Sequence, residues 1–188
     1  MSDLDREKWD DRYANASAAP QIPSTHLTKL DTLLPRAGSA LDIAGGAGRH
    51  ALWLAARGLD VTLVDISPRG LEIARDRAAR LDLKLNTVCR DLEREPLPAG
   101  HFDVIASFHY LQRELWPAMR AALAPGGWLI FVQPTQRNLQ RHTRPPADYL
   151  LHEGEAREVA TGLQIVEYQE DWLDEGRHEA VLIARRTV

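Results

Sequence analysis

The chain has little of several features that mark specialised classes of protein. Cys89 is its single cysteine, which excludes an internal disulfide framework and is typical of a reducing compartment. No apolar run approaches membrane-spanning length, and the N-terminal stretch MSDLDREKWDDRY is too charged for a secretory signal. The formal net charge of −4 gives no reason to expect a nucleic-acid partner. These 188 residues therefore predict one soluble, cytoplasmic domain with no membrane partner.

What the chain does contain is a regular alternation of helical patterns and short apolar runs. Helices are predicted over residues 4–13, 25–34, 50–57, 68–81, 112–123 and 153–161. Strands are predicted over residues 39–43, 60–65, 83–90, 102–108, 128–133, 163–170 and 178–185, and the last two form a hairpin. This order predicts an α/β fold with a doubly wound, mostly parallel seven-stranded Rossmann-like sheet that includes a C-terminal antiparallel hairpin strand.

The stretch LDIAGGAGRHALWLAARGLDVTLVD, residues 41–65, has the pattern of a strand, a glycine turn, a helix and a second strand. Glycines lack a Cβ and let a bulky ligand lie against the backbone, and the helix that begins near Arg49 offers N–H groups to an anion. Asp65 ends the second strand, where a carboxylate can accept both hydroxyls of a ribose. The unit therefore predicts a site for an adenosine-bearing ligand.

The identity of that ligand has more than one interpretation. The sequence GAGRHA at residues 46–51 fits the G-x-G-x-x-G/A pattern of dinucleotide sites, which favours NAD. Alternatively, the glycines only turn a strand into a helix. S-adenosylmethionine lacks a pyrophosphate and carries an ammonium and a sulfonium, and Asp42 in the turn attracts cations and repels a pyrophosphate. Asp91, after the third strand, is either a second acid for an adenine edge or a solvated loop acid or helix cap.

Several stretches occur in a characteristic order: LDIAGGAGRHALWLA, VTLVDIS, CRDLE, FDVIASF, LAPGGWLIF and the closing hairpin. In these motifs the chain resembles the class I S-adenosylmethionine-dependent methyltransferases over nearly its full length. The GRHALWLA helix, the run HYLQRELWPAMRAALAPGG and the ending LLHEGE…EDW…GRHEAVLIARR are most similar to small bacterial methyltransferases of the tellurite-resistance type. The resemblance implies a single methyltransferase domain, with residues 1–35 as an N-terminal helical lid and residues 36–188 as the core.

The same resemblance implies a set of cofactor-binding residues. The glycine turn would wrap the methionine half of S-adenosylmethionine, and the ends of the next three strands would contact the ribose, the adenine and the methionyl ammonium. The implied residues are Asp42, Ala44, Gly45, Gly46, Gly48, Asp65, Ile66, Asp91, Leu92, Ser107 and Phe108. Ala44 departs from the family, which usually has glycine there. Alanine is a mild change if the backbone has negative φ and a costlier one if φ is positive.

Residues that act on the methyl acceptor must lie at the carboxyl ends of the strands. His109 is a candidate general base, Tyr110 an orienting hydroxyl and Arg113 an anion clamp, although all three also fit ordinary packing or solvation. If the sixth strand is parallel, the hairpin turn reaches the same edge of the sheet and brings Arg177 and His178 with it. These five residues are the candidate catalytic residues, and no metal site is predicted.

Three further features belong to the same predicted edge. The basic loop at residues 137–144 suits a carboxylate or another anion, or is a solvated loop without a role. Trp172 either borders the acceptor pocket or is an ordinary turn tryptophan. Trp9 and Tyr13 either close over the cofactor or simply pack an amphipathic helix against the sheet.

The predicted function is transfer of a methyl group from S-adenosylmethionine to a small-molecule acceptor. The basic loop and the family resemblance favour an acceptor that is anionic or soft, such as a thiol or a chalcogen compound, and the protein is expected to be a monomer or a homodimer. Two alternatives stay open. One is a nicotinamide-dependent oxidoreductase, which usually needs a further substrate domain, and the other is a catalytically silent S-adenosylmethionine-binding module.

Overall fold

The computed structural model describes residues 3–14, 21–174 and 176–187, so part of the predicted lid, residues 1–2 and 15–20, lies outside the described residues. The helices are α1 (Asp3–Ala14), α2 (Thr25–Thr28), α3 (Arg49–Ala56), α4 (Pro68–Arg80), α5 (Trp116–Ala121) and α6 (Ala156–Val159). The strands are β1 (Ser39–Ile43), β2 (Asp60–Asp65), β3 (Asn86–Cys89), β4 (Phe102–Phe108), β5 (Leu123–Pro134), β6 (Gln164–Trp172) and β7 (His178–Arg185). Short 3-10 helices cover Arg113–Leu115, Gln136–Gln140 and Ala147–Tyr149.

Within the described residues the strands form one seven-stranded sheet in the order β3-β2-β1-β4-β5-β7-β6. Strands β1 to β5 pair in parallel, whereas β7 is antiparallel to both of its neighbours, β5 and β6. The predicted fold class is therefore confirmed. The strand order reverses between β1 and β4, and the crevice at such a switch point is where open α/β sheets bind ligands.

The direction of β6 decides where the turn before β7 lies. Because β6 is antiparallel to β7, and β7 is antiparallel to β5, strand β6 runs in the same direction as the five parallel strands. Its carboxyl end and the turn that follows therefore lie at the ligand-binding edge of the sheet. Arg177 was predicted to lie at this edge if the sixth strand runs parallel to the first five, and β6 does so.

Alternate residues of the central strands supply two apolar layers, one on each face of the sheet. Ala40 and Val104 pack with α3 and α4 on one face, while Leu41 and Ile105 pack with α5 and α6 on the other. Strands that are buried on both faces have continuous apolar sequences, which is why these segments were recognisable. Among the helices of the described residues, none has both the length and the apolarity that crossing a bilayer requires.

Three predicted helices are shorter in the structure than their apolar periodicity indicated. The predicted helix 112–123 becomes a 3-10 turn followed by α5, because Leu123 already pairs with Phe102 in the sheet. The predicted helix 25–34 is α-helical only over α2, and the predicted helix 153–161 is reduced to α6. In each case the buried leucines or valines fix the segment against the core, and tertiary contacts rather than helix propensity decide where regular structure ends.

Candidate functional site

A cavity of about 890 Å³ opens at the carboxyl edge of the sheet, at the switch point. Its volume falls in the range typical of sites for small molecules and cofactors. The wall combines the ends of the parallel strands with one side of α1, the loop after β5 and the turn before β7. Its lining includes Trp9, Tyr13, Asp42, Ala44, Gly45, His50, Asp65, Ile66, Leu92, Phe108, His109, Tyr110, Gln133, Arg144, Tyr149 and Arg177.

The glycine turn between β1 and α3 has three residues at positive φ: Ala44, Gly46 and Gly48. Gly48 is the N-cap of α3, and a Cβ at that position would lie 2.9 Å from the Cβ of Ala74 in α4. Glycine is therefore needed there for the close approach of the two helices. Ala44 has φ 52, in the left-handed region where a residue with a Cβ is strained. Alanine in place of the family's glycine is therefore the costlier of the two cases.

Asp42 lies beneath the glycine turn and is 1% exposed. Its Oδ2 accepts a hydrogen bond of 3.0 Å from the backbone N–H of Ala51, whereas Oδ1 is buried without a hydrogen-bond partner among the described residues. Burial raises the pKa of Asp42 to about 7, opposed by the Ala51 hydrogen bond and reinforced by the charge of Asp65. A cation placed against Oδ1 would satisfy that oxygen and favour the ionised carboxylate.

Asp65 closes the other side of the turn. Its Oδ2 accepts a hydrogen bond of 2.8 Å from the Gly46 N–H, and its Oδ1 accepts one of 2.8 Å from the Ser67 N–H. Burial raises the pKa of Asp65, although these backbone hydrogen bonds act in the opposite direction. A carboxylate oxygen has two lone pairs, so each oxygen keeps the capacity to accept a further hydrogen bond from a ligand hydroxyl.

The structure brings most of the predicted cofactor-binding residues to the cavity. The lining contains Asp42, Ala44, Gly45, Asp65, Ile66, Leu92 and Phe108. The cavity lining does not include Gly46, Gly48, Asp91 or Ser107 among the described residues. Ser107 is buried inside β4, and Asp91 accepts a hydrogen bond of 3.0 Å from the Glu93 N–H within a turn. The Asp91 carboxylate thus contacts its own turn, and its contact with the adenine stays a prediction.

Helix α1 covers the part of the cavity next to the glycine turn. Tyr13 packs against Gly46 so closely that a Cβ on the glycine would lie 2.0 Å from the tyrosine hydroxyl. Asp10 holds the helix in place because its carboxylate accepts hydrogen bonds from the Ser67 hydroxyl and from the Arg69 N–H. Trp9 and Tyr13 both line the cavity, and their role as a lid stays a prediction.

His109 follows β4 and faces a carboxylate from β7. Its Nε2 lies 2.9 Å from Oε1 of Glu179, and the Nε of Arg177 lies 3.4 Å from the same oxygen. Glu179 is 2% exposed. Burial acts to raise the pKa of Glu179, but the adjacent His109 and the charge of Arg177 outweigh it, and the pKa lies below its ordinary value. No group among the described residues donates a well-aligned hydrogen bond to Oε1 of Glu179.

Tyr110 and Gln133 add polar atoms to the same wall. The hydroxyl of Tyr110 and Oε1 of Gln133 are buried and have no hydrogen-bond partner among the described residues. Gln133 is held by its own Nε2, which donates to the Tyr149 carbonyl at 2.9 Å. Burial raises the pKa of Tyr110 well above its ordinary value, so the hydroxyl keeps its proton. These two groups can therefore donate to and accept from a bound molecule.

Two of the predicted catalytic residues are used elsewhere in the fold. The guanidinium of Arg113 forms an ion pair with Glu155, with Nη2 2.8 Å from Oε2, and it does not line the cavity. His178 is 1% exposed, and its Nδ1 lies 2.7 Å from the Thr135 hydroxyl, behind the cavity wall. Side-chain direction along β7 explains the result, since His178 and Glu179 point to opposite faces of the strand. Arg113 and His178 are therefore not among the catalytic residues that we propose below.

Sequence reasoning missed Glu179 and Gln133. Each is a polar residue within an otherwise apolar strand, in the stretches HEAVLIAR and WLIFVQ. A polar residue inside an apolar run could have indicated a site, because buried polar side chains need hydrogen-bonding or charged partners. His50, in the first turn of α3, stacks on Phe108 with ring centroids 3.9 Å apart. Burial, with the positive charges of Arg49 and His109, lowers the pKa of His50 to about 3.

Comparisons with known proteins agree with this geometry. Residues 40–127 match the family model described as "Methyltransferase domain". The chain is 30% identical over 141 residues to a ubiquinone biosynthesis O-methyltransferase of Marinobacter nauticus, which covers 70% of this chain and 58% of that protein. It spans about half the length of the curated relatives that it matches.

Two solved structures share the fold. TehB from Haemophilus influenzae superposes with a TM-score of 0.74 at 20% identity, over 95% of this chain and 67% of that chain. The magnesium protoporphyrin IX methyltransferase ChlM from Synechocystis, with bound S-adenosylhomocysteine, superposes with a TM-score of 0.70 at 18% identity, over 98% of both chains. The motifs, the sheet and the matched segment agree: residues 40–127 match the methyltransferase-domain model, and the chain has the α/β Rossmann-like methyltransferase fold, close to that of TehB.

Proposed function

We propose that the protein transfers a methyl group from S-adenosylmethionine to a small-molecule acceptor. The observation that carries the proposal is Asp42, whose Oδ1 is buried without a hydrogen-bond partner in the described part of the chain, at the wall of a cavity of about 890 Å³. The ammonium or sulfonium of S-adenosylmethionine would provide the positive charge that this carboxylate needs, and a pyrophosphate would be repelled. Bound S-adenosylmethionine supplies an electrophilic methyl group on its sulfonium.

The residues of the chain divide the cavity into two functional halves. In the cofactor half, Asp65 would accept the ribose hydroxyls, and Ile66 and Leu92 would pack against the adenine. Their burial and their position beside the glycine turn support these roles. Methyl transfer needs alignment of the acceptor and exclusion of water more than covalent participation of the protein. Helix α1, held by Asp10 against the start of α4, would cover this half from solvent.

In the acceptor half, His109, Tyr110 and Arg177 are the proposed catalytic and orienting residues. Arg177 and Arg144 place positive charge at the cavity wall, which supports an acceptor with an anionic group. The buried oxygens of Tyr110 and Gln133 would fix its orientation by hydrogen bonds. A cytoplasmic location and a monomeric or homodimeric state remain predictions from the sequence.

Titration calorimetry with S-adenosylmethionine, S-adenosylhomocysteine and NADH tests the proposal. We expect the first two ligands to bind and NADH not to bind. Asp65→Ala should weaken binding of both by about 100-fold or more, because two hydrogen bonds to a charged group are lost and each contributes about 1.5–3 kcal/mol. Asp76→Ala, on the exposed face of α4, is the matched control and should bind like the unmodified protein. Binding of NADH alone would refute the proposal.

A further inference from the structure

The strongest feature that the proposed function leaves unexplained is the buried carboxylate behind His109. Glu179 lies at the start of β7 and is 2% exposed, and its Oε1 is 2.9 Å from Nε2 of His109 and 3.4 Å from Nε of Arg177. A buried carboxylate is costly unless it is paired, so this arrangement needs a reason. Both of its partners line the cavity, whereas Glu179 itself lies behind the lining.

The backbone holds His109 in an unusual conformation that points its ring toward this carboxylate. His109 has φ 58, in the left-handed region that a residue with a Cβ seldom adopts. Its N–H donates a hydrogen bond of 2.8 Å to the Val132 carbonyl of β5. In the β5–β7 pairing, Glu179 is opposite Pro134, which brings the carboxylate beside the end of β4. Backbone strain that the surrounding structure maintains is common where a side chain has a defined task.

The chemistry of the pair follows from the charge on Glu179. The pKa of Glu179 lies below its ordinary value because His109 and Arg177, both within 3.4 Å of Oε1, outweigh its burial. An ionised carboxylate only accepts hydrogen bonds, so a neutral His109 that pairs with Glu179 carries its proton on Nε2 and its lone pair on Nδ1. The carboxylate also stabilises the imidazolium that forms when Nδ1 takes a proton. His50 also lines the cavity, but burial lowers its pKa to about 3, so it is a weak base.

We propose that Glu179 is a positioning residue that makes His109 the general base, and that the methyl acceptor is a weakly acidic hydroxyl compound with a carboxylate for Arg177. This inference rests on the proposed methyltransferase function. As the acceptor oxygen bonds to the methyl carbon, its hydroxyl proton moves to Nδ1 of His109. The carbon–sulfur bond breaks, its electron pair stays on sulfur and S-adenosylhomocysteine is formed. The imidazolium returns its proton to water. A thiolate or a selenolate would need none of this, since it already carries the reactive lone pair.

The test compares two acceptors of nearly the same shape in the presence of saturating S-adenosylmethionine. Salicylate offers a hydroxyl next to a carboxylate, and thiosalicylate replaces the hydroxyl with a thiol. We expect S-adenosylhomocysteine to form faster with hydroxybenzoates such as salicylate, and Glu179→Gln to lower kcat for these acceptors by about 100-fold. Turnover of the thiol should change less than about threefold, because a thiolate needs no base. Preference for the thiol, or turnover of neither acceptor, would overturn the inference.

A second measurement depends on no acceptor. Nitrogen NMR of the histidine rings, with His109 assigned by its loss in His109→Asn, reports which nitrogen carries the proton. Asparagine tolerates the left-handed backbone of this position, so that variant should fold. The charged or titratable groups facing the pair are Arg177 before β7, His50 on α3 and His26 on α2. We expect the Nε2–H tautomer in the unmodified protein and a larger fraction of the Nδ1–H tautomer in Glu179→Gln. An Nδ1–H tautomer in the unmodified protein, or the same tautomer populations in both proteins, would overturn the inference.

The two proposals fail in different ways. Calorimetry of Glu179→Gln with S-adenosylmethionine should give the same affinity as the unmodified protein, because Glu179 lies behind the acceptor half of the cavity. Loss of S-adenosylmethionine binding in the unmodified protein would refute the methyltransferase function itself. Intact binding together with equal losses for both acceptors in Glu179→Gln would overturn only the role of Glu179.

Discussion

Asp42→Asn should make the protein more stable and a poorer binder of S-adenosylmethionine. Asp42 is 1% exposed, and one of its carboxylate oxygens has no hydrogen-bond partner among the described residues. Asparagine keeps an oxygen that can accept from the Ala51 N–H, and it has nearly the same shape. The substitution removes the buried negative charge, which destabilises the folded state. It also removes the charge that attracts a cationic ligand.

The magnitude follows from the pKa of Asp42, which burial raises from 3.8 to about 7. At 1.36 kcal/mol per pKa unit, this difference corresponds to about 4 kcal/mol. The folded state holds the proton more tightly than the unfolded state, so Asp42 has no effect on the free energy of unfolding below pH 4. It lowers that free energy progressively between about pH 4 and pH 7, and the full effect is present above pH 7. The advantage of Asp42→Asn should therefore grow by about 2–3 kcal/mol between pH 5 and pH 8.

Urea denaturation at several pH values between 5 and 8 measures this difference without any ligand. Asp76→Asn, on the exposed face of α4, serves as the control for removal of one negative charge. A difference between Asp42→Asn and the unmodified protein that stays constant across this pH range would show that Asp42 is not a desolvated acid, and the reasoning would fail. In calorimetry, the affinity of the unmodified protein for S-adenosylmethionine should fall below pH 7, where Asp42 takes up a proton.

Two further substitutions test the turn and the ion pair. Ala44→Gly should raise the free energy of unfolding by about 0.5–1 kcal/mol, because it relieves the left-handed strain of alanine at φ 52 and loses part of that gain to unfolded-chain entropy. Lower stability of Ala44→Gly in urea denaturation would contradict this backbone argument. Arg113→Ala should lower stability by about 1–2 kcal/mol through loss of the Glu155 pair, yet leave methyl transfer within about twofold, since Arg113 lies outside the cavity. A large loss of turnover in well-folded Arg113→Ala would restore its catalytic role.

The sequence alone was sufficient for the sheet, the glycine turn and seven of the eleven predicted cofactor-binding residues that the structure places in the cavity lining. Strands buried on both faces must be continuously apolar, so β1, β2 and β4 were recognisable from local sequence. Asp65 was predictable because a residue that ends such a strand must lie at the ligand-binding edge. The order of the motifs predicted the likeness to methyltransferases, and residues 40–127 match the methyltransferase-domain model. The strand and turn inferences depend on contacts within single strand–turn–helix units, whereas the likeness depends on motifs spread along the chain.

The tertiary structure decided what depends on pairing between distant segments. The sequence could not specify that Ala44 has positive φ, because the turn takes its conformation from α3, α4 and β2 packing around it. The sequence also could not show which charged residues pair with each other. Arg113 was therefore predicted to be an anion clamp, whereas in the structure it forms an ion pair with Glu155. His178 and Glu179 are adjacent in sequence, and only the register of β7 against β5 decides which of them faces His109. Local periodicity predicts strands and turns, whereas the side chains that meet in the acceptor half are chosen by strand order and register.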